Sequence, residues 1–374
     1  MRVLHVYRTY FPDPPGGLQE AIRQIALASA IQGVESRIFT LSPNPVPAEI
    51  DSLEAKISRC RSWSAPASCD LGGIASFRRF TELTEWADVI HYHFPWPFAD
   101  LLHLFVRRKV PAVITYHSDI VRQKWLGRVY APLMQRMLSS MDAIVATSPA
   151  YAATSKVLAD PRHAERVRVI PLGIEEDSYP ASADQGIFNE IGVNSNEPYF
   201  LFVGVLRYYK GLRFLVEAAK HVEAPIVIAG SGPEESSLKA QVTELGLRNV
   251  IFAGQVSDAQ KVALIERCRA FVLPSHMRSE AFGVVLIEAA MYGRPMISCE
   301  VGSGTSFANA HGDTGLVVPP EDGDILASAM NALLADCALA EKFGHAARQR
   351  YELLFSGPVF GKLYAQLYRD VLRN

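Results

Sequence analysis

Residues 270–298 read Ala270-Phe-Val-Leu273-Pro-Ser-His276-Met-Arg278-Ser-Glu280-Ala-Phe282-Gly283-Val-Val-Leu-Ile-Glu288-Ala-Ala-Met-Tyr-Gly293-Arg-Pro295-Met-Ile-Ser298. A short apolar run, a polar loop, an apolar helical stretch closed by glycine and a second apolar run make one strand–helix–strand unit. Such a crossover joins parallel strands. Working outward, the same alternation predicts strands at Tyr199–Val203, Ile226–Ala229, Val250–Phe252, Ala270–Leu273, Pro295–Ser298 and Gly315–Val318. An earlier series runs through Val3–Tyr7, Ser36–Thr40, Val89–His91, Ala112–Tyr116, Ala143–Ala146 and Val167–Ile170. Between the two series, Gly173–Pro198 lapses into acidic, Ser, Asn, Gly and Pro residues, the composition of a connection.

The fold class expected is therefore α/β, with two Rossmann-like domains at residues 1–178 and 179–355. The tail Ala338–Leu372 reads as helix broken near Phe355–Pro358, so residues 356–374 are expected to cross back onto the first domain. A length of 374 residues suits two domains of ordinary size. In open parallel sheets ligands sit beyond the carboxyl ends of the strands, so two such domains facing each other would form a cleft.

Composition excludes several classes. With 49% hydrophobic and 20% charged residues, the chain matches a globular protein and not a disordered or coiled-coil one. The formal net charge of −2 provides no global field for nucleic acid, which is not expected as a partner. Five scattered cysteines without paired spacing fit a reduced, cytoplasmic setting. His5 and Arg8 interrupt the apolar start, unlike a secretory signal, and no run of 18 apolar residues occurs.

Three loops carry candidate chemistry. Phe11-Pro-Asp-Pro-Pro-Gly16-Gly17 precedes a helical pattern from Leu18 to Gln32 that Gly33 closes. Paired glycines let a ligand approach the backbone, and a helix start offers open amides; a plain chain turn is the alternative. The spacing is not G-x-G-x-x-G, so a nicotinamide oxidoreductase loses its fingerprint. In Phe202-Val-Gly204-Val-Leu-Arg207-Tyr-Tyr-Lys210-Gly211 two cations beside a helix start suit a diphosphate, Arg by paired hydrogen bonds and Lys as a point charge. Solvated surface cations would read the same way. In the opening stretch, Glu280 and Glu288 suit vicinal hydroxyls, while amides near Ala281, Phe282 and Gly283 suit phosphate. A helix cap at Glu280 and a satisfied structural acid at Glu288 are the alternatives.

Glu280, seven residues and Glu288, within Ser279–Ala289, resemble the signature of the family-4 retaining glycosyltransferases, which have the GT-B fold. The resemblance extends through Ile297–Thr305, Gly312–Pro320, Gly204–Gly211, Pro171–Ile174 and Thr115–Val121, in order over most of the chain. It implies that Glu280 meets the donor sugar's hydroxyls, that Glu288 meets the ribose, and that Arg207 and Lys210 neutralise the departing diphosphate. Gly204 belongs to the same donor loop. Val205 stands where the family often has Arg, and Arg207 takes that role. His117 occupies the position that reaches the donor sugar near the reacting centre, with Asp119 and Arg122 beside it on the acceptor side. Gly16 and Gly17 match the family's glycine loop, and Val256 would lie against the nucleobase.

Retention is expected by front-face attack, with the leaving phosphate helping to take the acceptor proton. No metal and no cofactor are expected. Asp322-Gly-Asp324 has an Asp-x-Asp form but opens a helix, where capping explains it. His91-Tyr-His93 places two imidazoles on one side of a strand with no third ligand evident nearby.

The partners expected are a nucleotide sugar and a glycan or lipid-linked saccharide. GDP-mannose is the first choice of donor, because His117–Arg122 and Gly204–Gly211 resemble the mannosyltransferase-rich bacterial polysaccharide branch. UDP-sugars, a nucleotide-sugar epimerase on a similar fold and a non-catalytic glycan-binding protein are the competing readings. Residues 101–140 hold seven cations, Arg107, Arg108, Lys109, Arg122, Lys124, Arg128 and Arg136, against one acid, Asp119. Interleaved with Phe105, Trp125 and Tyr130, they suit peripheral contact with an anionic inner membrane face, or a solvated helix over a normal core.

Overall fold

A computed structural model describes the chain except residues 14–15, 67–68, 106–109, 120–123 and 374; for 124–129 it describes the backbone alone. The chain divides into two compact units. Met1–Gly173 with Gly357–Asn374 form the first, and Ile174–Ser356 the second. The first boundary thus falls at Gly173 and not at 178, because the next residues are bonded to the second unit. Ile174 N–H donates to Phe355 O at 2.8 Å, and Arg348 holds Glu176 at 2.9 Å. Gly357, not residue 356, begins the returning helix.

The first unit is built on strands β1 (Arg2–Val6), β2 (Glu35–Ser42), β3 (Glu49–Asp51), β4 (Lys56–Ser64), β5 (Leu71–Gly72), β6 (Val89–Phe94), β7 (Ala112–Tyr116), β8 (Ala143–Ala146) and β9 (Val167–Val169). Their order is β3-β4-β2-β1-β6-β7-β8-β9, with β5 on β4. All pairs are parallel except β3–β4 and β4–β5. The strands at this side of the sheet carry no apolar run. Lys56-Ile-Ser-Arg-Cys-Arg-Ser-Trp-Ser64 is largely polar, and its outer half is exposed or half-buried.

The second unit is the plainer sheet. Strands β10 (Phe200–Val203), β11 (Ile226–Ala229), β12 (Val250–Gly254), β13 (Ala270–Leu273), β14 (Met296–Cys299) and β15 (Gly315–Val318) lie in the order β12-β11-β10-β13-β14-β15, all parallel. Most are buried along their whole length, as continuous Val/Ile/Leu/Phe runs require when helices cover both faces.

The returning helix Gly357–Arg373 completes the first core. Its Phe360, Tyr364, Ala365, Leu367, Tyr368 and Val371 pack with Val3, Ile25, Val89, Val113, Val145 and Ile170. The helix lies so close to helix Gly17–Ala30 that a Cβ on Gly361 would stand 2.0 Å from Ala28 O. Gly361→Ala therefore has to push two helices apart. Overpacking of this kind costs about 1–3 kcal/mol, more than the gain in helix propensity. Urea unfolding of the variant should show that loss, and an unchanged midpoint would contradict the close packing.

Candidate active site

In the second unit, β10 and β13 are neighbours, so the loops that leave their carboxyl ends lie side by side. Gly211 permits this contact. Its φ is +69°, and a Cβ there would sit 2.0 Å from Pro274 O. His276 N–H adds a hydrogen bond to Tyr209 O at 3.1 Å. The result brings the Lys210 ammonium onto Glu280 Oε2, with both side chains only 11% exposed. Ser275 Oγ donates to the same oxygen at 3.2 Å, and Ser303 Oγ to the Glu280 carbonyl at 2.6 Å. Burial is the largest influence on Lys210 and opposes its charge, but Glu280 and Tyr209 outweigh it and raise the pKa.

Two groups remain open around this pair. Glu280 Oε1 makes no hydrogen bond among the described residues, and the guanidinium of exposed Arg207 has no hydrogen-bond or ion-pair partner among them. Helix Val284–Met291 starts at Gly283, φ +79°, with no side-chain cap, which leaves its first amides free for an anion. Gly204 ends β10 within this loop, Ala281 O accepts from Gly304 N–H at 2.7 Å, and Phe282 is buried edge-on to Phe355. His276 is wedged between Tyr208 and Phe214, and neither ring nitrogen has a hydrogen-bond partner.

Glu288 lies in the second turn of the helix and is buried. Its Oε1 accepts from Tyr179 OH at 2.5 Å and from Lys261 Nζ at 3.1 Å, while Oε2 has no donor. Val256 is half-buried just before the capping box that opens helix Asp258–Arg267. Asp322 Oδ1 accepts from Ile325 N–H at 2.9 Å, the helix cap that its position suggested. A cavity of about 580 Å³ in this unit lies elsewhere, lined by Arg267, Arg269, Arg294 and Arg348 at the amino ends of β13 and β14.

In the first unit His117 follows β7 and is buried, with its Nε2 3.0 Å from His93 Nδ1. Burial pushes its pKa down to about 3. Asp119 Oδ1 accepts from Tyr116 OH at 3.1 Å and Ser155 Oγ at 2.7 Å, so this carboxylate ties its loop to helix Pro149–Thr154. Arg122 lies outside the described residues. Gly16 caps helix Gly17–Ala30 in an extended conformation, and a Cβ on Gly17 would meet nothing within 4 Å among the described residues. The third imidazole beside His91 and His93 is His5, which the register of β1 against β6 brings alongside them. The ring nitrogens of all three face hydrogen-bond partners already.

Comparison with known proteins decides what this arrangement belongs to. The family described as "Glycosyl transferase 4-like domain" matches residues 16–173, and "Glycosyl transferases group 1" matches 184–350. The chain is 46% identical to D-rhamnosyltransferase WbpZ of Pseudomonas aeruginosa over 95% of this chain and 92% of that one. The chain is a family-4 glycosyltransferase. It is also 40% identical to O-antigen chain mannosyltransferase C of Escherichia coli, over the full length of both. Sucrose-phosphate synthase of Thermosynechococcus elongatus shares its GT-B fold, with a TM-score of 0.81 and 24% identity over 100% and 99% of the two chains.

Several residues that hold these candidate groups within each unit carry no sequence signal. Tyr179 and Lys261 hold Glu288 from 109 and 27 residues away. Ser275 and Ser303 look like ordinary loop serines. His5 is visible as an interruption of the apolar start, and His93 as one of the two imidazoles of His91-Tyr-His93.

The Lys210–Glu280 pair generates a stability test. Lys210→Met leaves a buried carboxylate unpaired, which costs about 3–5 kcal/mol, whereas Lys210→Met with Glu280→Gln removes both charges and recovers most of it. Denaturant unfolding of the two variants measures this, and a double variant no more stable than the single one would show that the pair is not mutually compensating.

Proposed function

We propose that this glycosyltransferase moves a manno-configured hexose, first of all mannose from GDP-mannose, onto a glycan or lipid-linked saccharide in surface polysaccharide assembly. Transfer proceeds with retention at the anomeric carbon and without a metal. The observation that carries the reading is the buried Lys210–Glu280 pair at the strand ends, with Glu280 Oε1 and Arg207 left open beside it. A carboxylate oxygen free to accept hydroxyl protons suits a sugar, and the cations with the amides at Gly283 suit a leaving diphosphate. The relatives' names support the choice of sugar, since D-rhamnose is 6-deoxy-D-mannose and shares its ring configuration.

In this mechanism the bond from the anomeric carbon to the phosphate oxygen breaks as the acceptor oxygen bonds on the same face. The acceptor proton passes to the departing phosphate. Lys210, Arg207 and the open amides stabilise the charge that develops there, Glu280 orients the sugar, Glu288 takes the ribose and Val256 lies by the base. His117 is assigned to the transferring sugar, with Gly16 and Gly17 on the diphosphate and acceptor side.

A thermal-shift panel of GDP, UDP and ADP tests the donor. GDP at about 100 times its Kd should stabilise the protein by about 2.7 kcal/mol, with UDP and ADP weaker. In turnover assays followed by nucleoside diphosphate release, Glu280→Gln and Arg207→Ala should each lower kcat/KM by about 10²–10³-fold. Both variants within a few-fold of the parent would overturn the assignment.

We further propose peripheral contact with the inner face of an anionic cytoplasmic membrane, supported by the positive excess in residues 101–140 and by exposed Leu101, Leu104 and Phe105. No single helix among the described residues is long and apolar enough to cross a membrane. Co-sedimentation should rise with the anionic lipid content of vesicles and fall as salt increases; binding indifferent to both would sink the proposal.

A further inference from the structure

The first unit contains a buried run of hydrogen-bonded imidazoles. Ser36 Oγ lies 3.5 Å from His5 Nε2, His5 Nδ1 lies 3.1 Å from His93 Nε2, and His93 Nδ1 lies 3.0 Å from His117 Nε2. All four side chains are buried, and the His5–His93 and His93–His117 rings are stacked. Parallel register builds the run. His5 pairs with His91 across β1 and β6, His93 pairs with Thr115 across β6 and β7, and His117 is two residues beyond Thr115 on the same face. His91 stands beside the run but is bonded elsewhere, to Tyr368 OH and Thr115 Oγ1, both at 2.7 Å.

Burial pushes His5 and His117 down to about 3 and His91 and His93 well below the ordinary histidine value, so near neutral pH each ring carries one N–H. Every ring-to-ring link needs one donor and one acceptor. The run therefore has two proton orders, one with each N–H pointing towards His117 and its reverse. Ser36 separates them. In the reverse order His5 Nε2–H donates to Ser36, and the buried hydroxyl hydrogen then has no acceptor among the described residues. In the forward order Ser36 O–H donates to His5 Nε2, and only an oxygen lone pair goes unused, the smaller penalty.

We propose that Ser36, His5 and His93 are positioning residues that hold His117 in its Nδ1–H tautomer, so that its outward nitrogen donates a hydrogen bond. That nitrogen has no partner among the described residues and is not among the fully buried unpaired atoms, so it is open to a ligand. The ligand class it selects is an oxygen lone pair, from a sugar hydroxyl or a phosphate oxygen. With Nδ1 already protonated, His117 takes no proton from the acceptor, which leaves that proton to the departing phosphate. This catalytic consequence rests on the assignment of His117 to the transferring sugar; the tautomer does not.

Long-range proton–nitrogen correlation of 15N-histidine-labelled full-length protein, with no nucleotide or acceptor added, reads the tautomers directly. The His117 signals are those lost in His117→Gln. The expected result is a protonated Nδ1 and an unprotonated Nε2 on His117, with the same order on His93 and His5. His5→Phe and His93→Phe cut the run and should give His117 mixed tautomers. In each, kcat should fall in proportion to the Nδ1–H fraction read by NMR, about 2-fold at an even mixture, while the donor KM is unchanged. A protonated Nε2 on His117 in the parent, or an unchanged tautomer in both variants, overturns the proposal. If His93→Phe does not fold, His5→Phe decides alone. Because the tautomer is read without substrate, it stands or falls separately from the nucleotide panel that tests the transfer reaction.

Discussion

Lys210 and Glu280 lie against each other with only 11% of each side chain exposed, and the contact offsets the burial that opposes the Lys210 charge. The rest of the second unit's site is arranged around that mutual neutralisation. Ser275 and Lys210 engage one oxygen of the carboxylate, which leaves the other facing outward as an acceptor. Gly211 has no Cβ at the point where one would strike Pro274 O, so the cation's loop can lie against the carboxylate's loop. A positive charge fixed beside a free carboxylate oxygen and a helix start with open amides provides the polarity that departing phosphate and sugar hydroxyls need.

The first unit handles buried polarity differently. The imidazoles of His5, His91, His93 and His117 are kept neutral by burial, and their nitrogens are satisfied mostly by one another and by serine, threonine and tyrosine hydroxyls. The returning helix, which also fills the apolar core, brings two hydroxyls to this layer, Tyr368 OH to His91 and Tyr364 OH to Thr115. The helix thereby links packing to the polar layer: the residues that close the core also complete hydrogen bonds beside His117's neighbours. Losing them would strand buried polar atoms as well as open a cavity.

Much of this is legible in the sequence, and particular residues show why. Nearly every central strand announced itself as a short Val/Ile/Phe/Leu run, because a strand covered on both faces is apolar along its whole length. Lys56–Ser64 did not, since its residues are largely polar and its outer half is exposed or half-buried. Glu280 and Lys210 were visible as charged residues in glycine-marked loops, yet their contact was not, because 70 residues separate them. His91 and His93 were visible as a pair, whereas the third imidazole, His5, sits on another strand and comes alongside only through parallel register. The domain boundary at Gly173 was displaced for a related reason. Polar composition marked the linker, while long-range bonds from Ile174 and Glu176 decided which body those residues joined.

The sequence by itself determined the α/β class, the tandem sheets, the returning helix and the loops that hold the charged and glycine residues, because these follow from local periodicity and turn chemistry. The tertiary structure alone decided which of those residues are partners. It placed Tyr179 and Lys261 on Glu288, Ser275 on Glu280, and Ser36, His5 and His93 in line behind His117. Strand order and register set those distances, and neither is written in any single segment, since each depends on how two distant runs pair.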